Sequence, residues 1–242
     1  MSFTAHSSPG VVSYSAGNSS FGRAEGFAAE HPIIRALPPE AVNCIELHGI
    51  RVTEPARTPL DNATPHARFV VSGAIGVFPA PDSACVAMIG PGGLQGLEHC
   101  FLESISERHV VLVDAEWIEV PAAALALAMG KQWAERMFAY QASGRLRLLG
   151  AEAACNARHP VSQRLARWLL RLHEAAGSPR RLEITQSLLG EILGVQRTTV
   201  NAAVGYLHQV GVVDNTRGRI TIPNRDALSL ASCGCGDAPR GG

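Results

Sequence analysis

The sequence predicts an α+β chain in three parts: a β-roll, a long helix, and a small helical domain that closes on a β-hairpin. Three observations carry this expectation. Short apolar runs punctuated by Gly, Pro and Asp fill residues 33 to about 120. A Pro-free stretch rich in Ala, Leu, Arg, Glu and Gln follows Pro121. Beyond it, two apolar-striped segments flank Gly194 between Thr185 and Leu207. The chain has 242 residues, of which 46 % are hydrophobic and 17 % charged. That excludes a wholly disordered chain and a highly charged coiled coil, and it leaves room for two domains.

The charge is divided along the chain. Residues 1–120 hold 6 Lys and Arg against 13 Asp and Glu, whereas residues 121–242 hold 15 against 8. A basic half is the pattern of a domain that meets a polyanion, although a chance dipole gives the same count. No run reaches about 18 apolar residues, so no membrane partner is expected. The first twenty residues lack the basic start and compact apolar block of a secretory signal, which points to a cytoplasmic protein.

Residues 1–30, rich in Ser, Gly and Ala, read as a flexible N-terminal arm. Residues 31–120 read as the β-roll, with runs at Arg68-Phe69-Val70-Val71, Ala74-Ile75-Gly76-Val77-Phe78, Cys85-Val86-Ala87-Met88-Ile89 and Val110-Val111-Leu112-Val113. Ser72-Gly73 and Gly90-Pro91-Gly92-Gly93 are the clearest turns. Residues 121–155 read as one dimerisation helix opened by Pro121, near 45 Å long at about 1.5 Å per residue. Leu125, Met129, Trp133, Arg136, Tyr140 and Ser143 roughly follow a heptad-like seam along it. A helix of this length needs a partner, either its own β-roll or the same helix of a second subunit. After Asn156-Ala157-Arg158-His159-Pro160, a further helix carries Val161, Leu165, Trp168, Leu169 and Leu172 on one face and Arg164, Arg167 and Arg171 on a basic flank. Residues 156–228 read as the C-terminal domain and residues 229–242 as a flexible tail.

The segment from Thr185 to Leu207 carries the chemistry. Thr185 is a good N-cap for a helix whose apolar face is Leu188, Leu189, Ile192 and Leu193. Gly194 falls where the chain must turn sharply, and Val195 plugs the turn. A second helix begins near Gln196 or Arg197, with Val200, Val204 and Leu207 as its buried stripe. Helix, short turn and helix at this length make a helix-turn-helix. The second helix would present Arg197, Thr198, Thr199 and Asn201 from its first turns, where a recognition helix meets base edges. Arg can pair with guanine O6 and N7, and Asn similarly with adenine. Thr185, Gln186, Ser187, Gln196 and the amides of both helix starts can hold phosphates. Two short β-runs around Arg217-Gly218-Arg219 read as the hairpin wing of a winged helix, with Arg217 and Arg219 placed for phosphates. Leu182-Glu183-Ile184 is a candidate third strand.

These residues resemble the C-terminal domain of the Crp/Fnr (cyclic-AMP receptor protein / fumarate-nitrate regulator) family. The resemblance rests on Thr185, Leu189, Gly194, Val195, Arg197 to Asn201, Leu207, Gly211 and Gly218-Arg219-Ile220. Cys155-Asn156-Ala157 and Arg164 to Leu170 extend it upstream, and Phe69 to Val77 with Ile89-Gly90-Pro91-Gly92 extend it more loosely to the first half. It implies a cyclic-nucleotide-binding-like jelly roll, a dimerisation helix and a winged helix-turn-helix. It also implies a transcription regulator that acts as a homodimer on a near-palindromic operator, with double-stranded DNA, a second copy of the chain and RNA polymerase as partners. Arg197 is then the residue that contacts guanine and phosphate. Thr198 and Ala202 stand where the family often has Glu and Arg, so the usual half-site is not implied.

The effector is not legible, and its cofactor is left unknown. Leu97 stands where the family's cyclic-AMP pocket has Glu, and Arg108 is only a weak candidate for the phosphate partner, so cyclic AMP is not supported. An iron–sulfur cluster is not supported, because the first cysteine is Cys44. Haem is not supported, because no spacing singles out His66, His99 or His109. The six cysteines (Cys44, Cys85, Cys100, Cys155, Cys233, Cys235) read as free thiols. Cys233-Gly234-Cys235 lacks a second pair or His ligands at suitable spacing, so no metal ligand is assigned. No His-x-His pair, Gly-x-Ser-x-Gly elbow or phosphate loop is present, which argues against an enzyme of the cupin, hydrolase or nucleotide-hydrolysing type. The alternative to a DNA regulator is a ligand-binding or protein-docking module whose winged helix meets protein.

Overall fold

The computed structural model describes residues 26–60, 65–79, 83–101, 107–179, 181–216 and 219–235. Of the arm read over residues 1–30, residues 1–25 lie outside them, as do the wing-tip residue Arg217 and the last seven residues of the tail; Phe27–Glu30, read as arm, is helical.

The described chain opens with helices rather than strands: α1 (Phe27–Glu30), α2 (Pro32–Ala36) and α3 (Pro39–His48). This corrects the expectation of β-structure from residue 33. Pro32 and Pro39 each occupy a first helical position, where the missing N–H costs nothing. Ile34, Ala41 and Ile45 then fall on one buried face.

The sheet follows, made of β1 (Ile50–Glu54), β2 (Pro59–Leu60), β3 (His66–Phe78), β4 (Ala87–Ile89), β5 (Leu94–Gln95) and β6 (Arg108–Pro121). Its order is β1-β6-β3-β4, with β2 also on β6 and β5 also on β3, and every pairing is antiparallel. The long central strands are buried on both faces, which is why they read as near-continuous apolar runs. Their register sorts the side chains. Val70 opposite Trp117 and Ile75 opposite Val111 point into the roll. Phe69 opposite Ile118 points at the helices that flank the sheet. Ala74 opposite Val113 points at the C-terminal domain.

The long helix is two helices: α4 (Ala122–Met129) and α5 (Lys131–Arg158). Gly130 separates them with φ +74°, a left-handed value that L side chains rarely adopt. Leu125 and Met129, expected on the seam, are instead buried beside Ile34, Ile45 and Phe69. The 28 residues of α5 span about 42 Å. Trp133, Arg136, Tyr140 and Ser143 of the seam are exposed on it.

The C-terminal domain comprises α6 (Val161–Ala175), β7 (Arg181–Leu182), α7 (Gln186–Leu193), α8 (Arg197–Gln209), β8 (Asp214–Thr216), β9 (Arg219–Thr221) and α9 (Arg225–Ala231). The strands form a small sheet in the order β7-β9-β8, so Leu182 does supply the third strand. α9 runs past residue 229, where the sequence reading begins a tail, because Leu228 is fully buried and Asn224 caps its start by accepting from the amides of Asp226 and Ala227.

The basic flank of α6 is also not a free surface. Arg164 donates to the Leu193 carbonyl at 2.6 Å and so satisfies the end of α7. Arg167 and Arg171 both bind the buried carboxylate of Glu152 on α5, at 2.8 and 3.1 Å. α6 places Leu165, Trp168, Leu169 and Leu172 in one cluster with Phe78, Val110, Leu112, Leu189, Ile192, Val200 and Val204, so the C-terminal domain and the sheet share a core. Leu165→Ala should cost about 2–5 kcal/mol, because the cavity would open where no solvent enters. A lower urea midpoint with an unchanged slope checks this.

Candidate nucleic-acid interface

The geometry of the helix-turn-helix follows from its local sequence. Thr185 is the N-cap of α7, and its hydroxyl accepts from the Leu188 amide at 3.2 Å. Gly194 ends the helix with φ +63°, and the Val195 amide reaches back to the Gly190 carbonyl at 3.0 Å. A Cβ on Gly194 would also stand 2.9 Å from the Cβ of Ala84, so both conformation and space require glycine there. Leu188, Leu189, Ile192 and Leu193 of α7 are buried, as are Val200, Val204 and Leu207 of α8. One face of α8 is thereby committed to the core and the other to solvent.

On that outer face the sequence-predicted residues come together. Gln196, Arg197, Thr198, Thr199 and Asn201 are all exposed at the start of α8. The N-cap Gln196 makes no side-chain capping bond, which leaves the first amides of α8 open to an anion. Ser187 is exposed and Thr185 and Gln186 half-buried at the start of α7. Arg219 lies on the exposed wing strand β9, where its Nε donates to Glu183 at 2.9 Å. Both partners are substantially exposed, so the pair steers the wing more than it stabilises it.

The weak effector candidate, Arg108, sits elsewhere. Its guanidinium lies 4.3 Å from the ring centre of Phe78 and 3.0 Å from Glu191 on α7. It therefore bridges the sheet to the helix-turn-helix. Leu97, at the position of the missing glutamate, is fully buried among the helices that flank the sheet.

The polar groups that do converge on the β-roll side are ones the sequence did not single out. Arg145 of α5 reaches Glu98 and Glu107, each at 3.2 Å, and Glu107 is 3.4 Å from the buried His109. Next to them Arg68 joins Gln95 at 2.9 Å and Glu119 at 2.8 Å. Glu98, Glu107 and His109 are near enough to share a metal ion, but Arg145 already supplies the positive charge between the two carboxylates. No sequence spacing announces this cluster, because its members come from the turn after β5, from β6 and from the middle of α5.

Residues 163–230 match the model of the Crp-like helix-turn-helix domain. No curated protein matches the chain. Among solved structures, the chain is similar to a Crp/Fnr-family transcriptional regulator of Eubacterium rectale, at 17 % identity and a TM-score of 0.66 over 84 % of this chain and 98 % of that one. It is similar to FixK2 of Bradyrhizobium japonicum, at 20 % identity and 0.57 over 76 % and 98 %. It is also similar to the global regulator CLP of Xanthomonas campestris, at 18 % identity and 0.58 over 77 % and 100 %, which is described as responsive to c-di-GMP. Among the described residues no helix is long and apolar enough to cross a membrane.

Two measurements probe this arrangement. Thr185→Ala should lower stability by about 0.5–2 kcal/mol through the lost cap, read by chemical denaturation. Glu107 is held below its ordinary value of 4.5 by its hydrogen bond with His109, against the effect of burial and with help from the Arg145 charge. Because the folded value is depressed, the stabilisation it gives is present above about pH 4.5 and is lost as the pH falls through the folded value. Glu107→Gln should flatten that acid limb of the stability–pH curve.

Residues 163–230 are thus a Crp-like helix-turn-helix domain, carried on a chain with the fold of the Crp/Fnr-family transcription regulators.

Proposed function

We propose that the protein is a homodimeric, sequence-specific DNA-binding transcription regulator that reads a near-palindromic operator. The observation that carries this reading is the outer face of α8. Arg197, Thr198, Thr199 and Asn201 are exposed together at the start of a helix whose other face is buried. Arg197 has no ion-pair partner among the described residues, so its guanidinium is free to pair with guanine. Gln196, Ser187, Gln186, Thr185 and Arg219 surround that face with donors for the phosphate backbone, and Arg217 would add another.

Dimerisation is supported by α5. Its 28 residues bury only Ala134, Glu152 and Cys155 within the chain. Trp133, Tyr140, Leu146, Leu148 and Leu149 remain exposed along it. A second α5 alongside would cover this apolar surface and set two copies of α8 about 34 Å apart, in successive major grooves. Arg136 and Ser143, on the same side, would lie at the edge of that contact. Such a protein works by binding rather than by catalysis, in the cytoplasm where the chromosome lies, with RNA polymerase as its further partner. An effector in the β-roll would act only through unequal affinity for two arrangements of α5 and the C-terminal domain.

Footprinting on fragments selected from the source genome should show two inverted half-sites. Protection of one half-site by a monomer would overturn the dimer. Arg197→Ala should cost about 1–3 kcal/mol on the selected site and relax one base position. Arg219→Ala should weaken all sequences alike and reduce the salt slope by about one unit.

A further inference from the structure

DNA reading uses none of the cysteines, yet three of them meet. Cys155 lies in the last turn of α5 and is fully buried. Cys233 and Cys235 follow α9, in the segment that the sequence reading leaves as tail. The three sulfur atoms all lie within 4.8 Å of one another, and those of Cys155 and Cys233 are 3.4 Å apart. His159 caps α5 and brings its Nε2 to 3.3 Å from the sulfur of Cys235. Sequence reasoning missed the set because Cys155 and His159 stand more than seventy residues before the pair they meet. The signal available was their own spacing: residues four apart share a helix face. On the other side, Gly234 has φ +65°, a turn that lets the flanking thiols face the same point.

We propose that Cys155, His159, Cys233 and Cys235 form a binding site for one zinc ion, which ties the end of α5 to the segment after α9.

The donor set is the first argument. Three thiolates and one imidazole make a closed, four-ligand structural zinc site, and such soft donors disfavour calcium and magnesium. Distance is the second. With Zn–S bonds of about 2.3 Å in a tetrahedron, neighbouring sulfurs stand about 3.8 Å apart and sulfur and nitrogen about 3.5 Å. The observed 3.4 and 3.3 Å edges are near these values, the remaining sulfur–sulfur edges are under 4.8 Å, and the His159 ring, in contact with Cys235, would close the site by a small rotation. They are far from the bond of about 2.0 Å in a disulfide.

Charge is the third argument. Three thiolates around a divalent ion leave one negative charge. Arg167 acts electrostatically on both Cys155 and Cys233, and its Nε–H is buried with no hydrogen-bond partner. A metal-bound thiolate beside it would use that charge and that donor. Each thiol that ligates the ion gives up its proton to solvent, with no change of oxidation state. The site spans the joint between α5 and α6, at His159-Pro160, beside the Glu152–Arg167 pair that crosses the same joint. Zinc would hold the C-terminal domain in one orientation relative to α5.

The test uses the full chain, purified in reductant, and does not depend on DNA binding. Elemental analysis should find one zinc per chain. After chelation, Co2+ alone should bind at one per chain, with the sulfur-to-cobalt charge-transfer band and strong visible absorption of a tetrahedral thiolate site, and zinc should displace it. Cys233→Ser with Cys235→Ser should abolish both signals while the far-ultraviolet circular dichroism stays unchanged. Cys44→Ser, outside the cluster, should keep them. Cobalt that gives only the weak spectrum of an octahedral ion, metal retained in full by the double variant, or a Cys155–Cys233 disulfide in place of metal would each overturn the proposal.

Discussion

One face of α6 holds the molecule in its arrangement. Leu165, Trp168, Leu169 and Leu172 pack inward on α7 and α8 and also on Phe78, Val110 and Leu112 of the sheet. Since the core takes Val200, Val204 and Leu207, the start of α8 has only solvent to face. The Arg108–Glu191 pair and the close approach of Gly194 to Ala84 lie on the same seam between sheet and helix-turn-helix. The orientation of the exposed start of α8 is thus a packing consequence of α6, not a property of α8 alone.

Polar groups at this junction serve the packing. Glu152 is almost completely enclosed, and Arg167 and Arg171 both turn to it. Arg171 also lies 4.9 Å from the ring centre of Trp168. A carboxylate left unpaired here would carry a large desolvation penalty, so the two arginines are held as firmly as the leucines beside them. The end of α5 is consequently bound to the C-terminal domain through charge, and on the zinc proposal through metal as well. Its middle binds the β-roll through Arg145, while its outer side remains apolar and open.

Two sets of polar contacts tie the β-roll to its neighbours. The Arg145 cluster joins the turn after β5, β6 and α5, and Arg108 joins β6 directly to α7. Both lie on the long strand whose other side chains fill the roll.

The sequence by itself determined the elements whose pattern is local. Gly194 between two apolar stripes, Thr185 as a cap, and the turn chemistry of the wing all act within a few residues, so the helix-turn-helix and its exposed polar face were legible before any coordinates. The apolar runs of β3 and β6 were legible as strands for the same reason, but Ser72-Gly73, read as a turn, is an irregularity within the continuous strand β3, where Gly73 takes φ +76° and the pairing register shifts. Long-range placement was decided only by the tertiary structure. Helices α1 to α3 hide in a stretch whose apolar residues also suit strands, and Gly130 breaks a helix that composition alone would continue. The arginines of α6 look like a solvated basic flank until Glu152 and the Leu193 carbonyl, remote in sequence, close over them. Cys155 and His159 look like unrelated residues until α9 carries Cys233 and Cys235 back to them. Hydrogen bonds, ion pairs and metal ligands need partners within a few ångströms, and only folding determines which distant residues come that close.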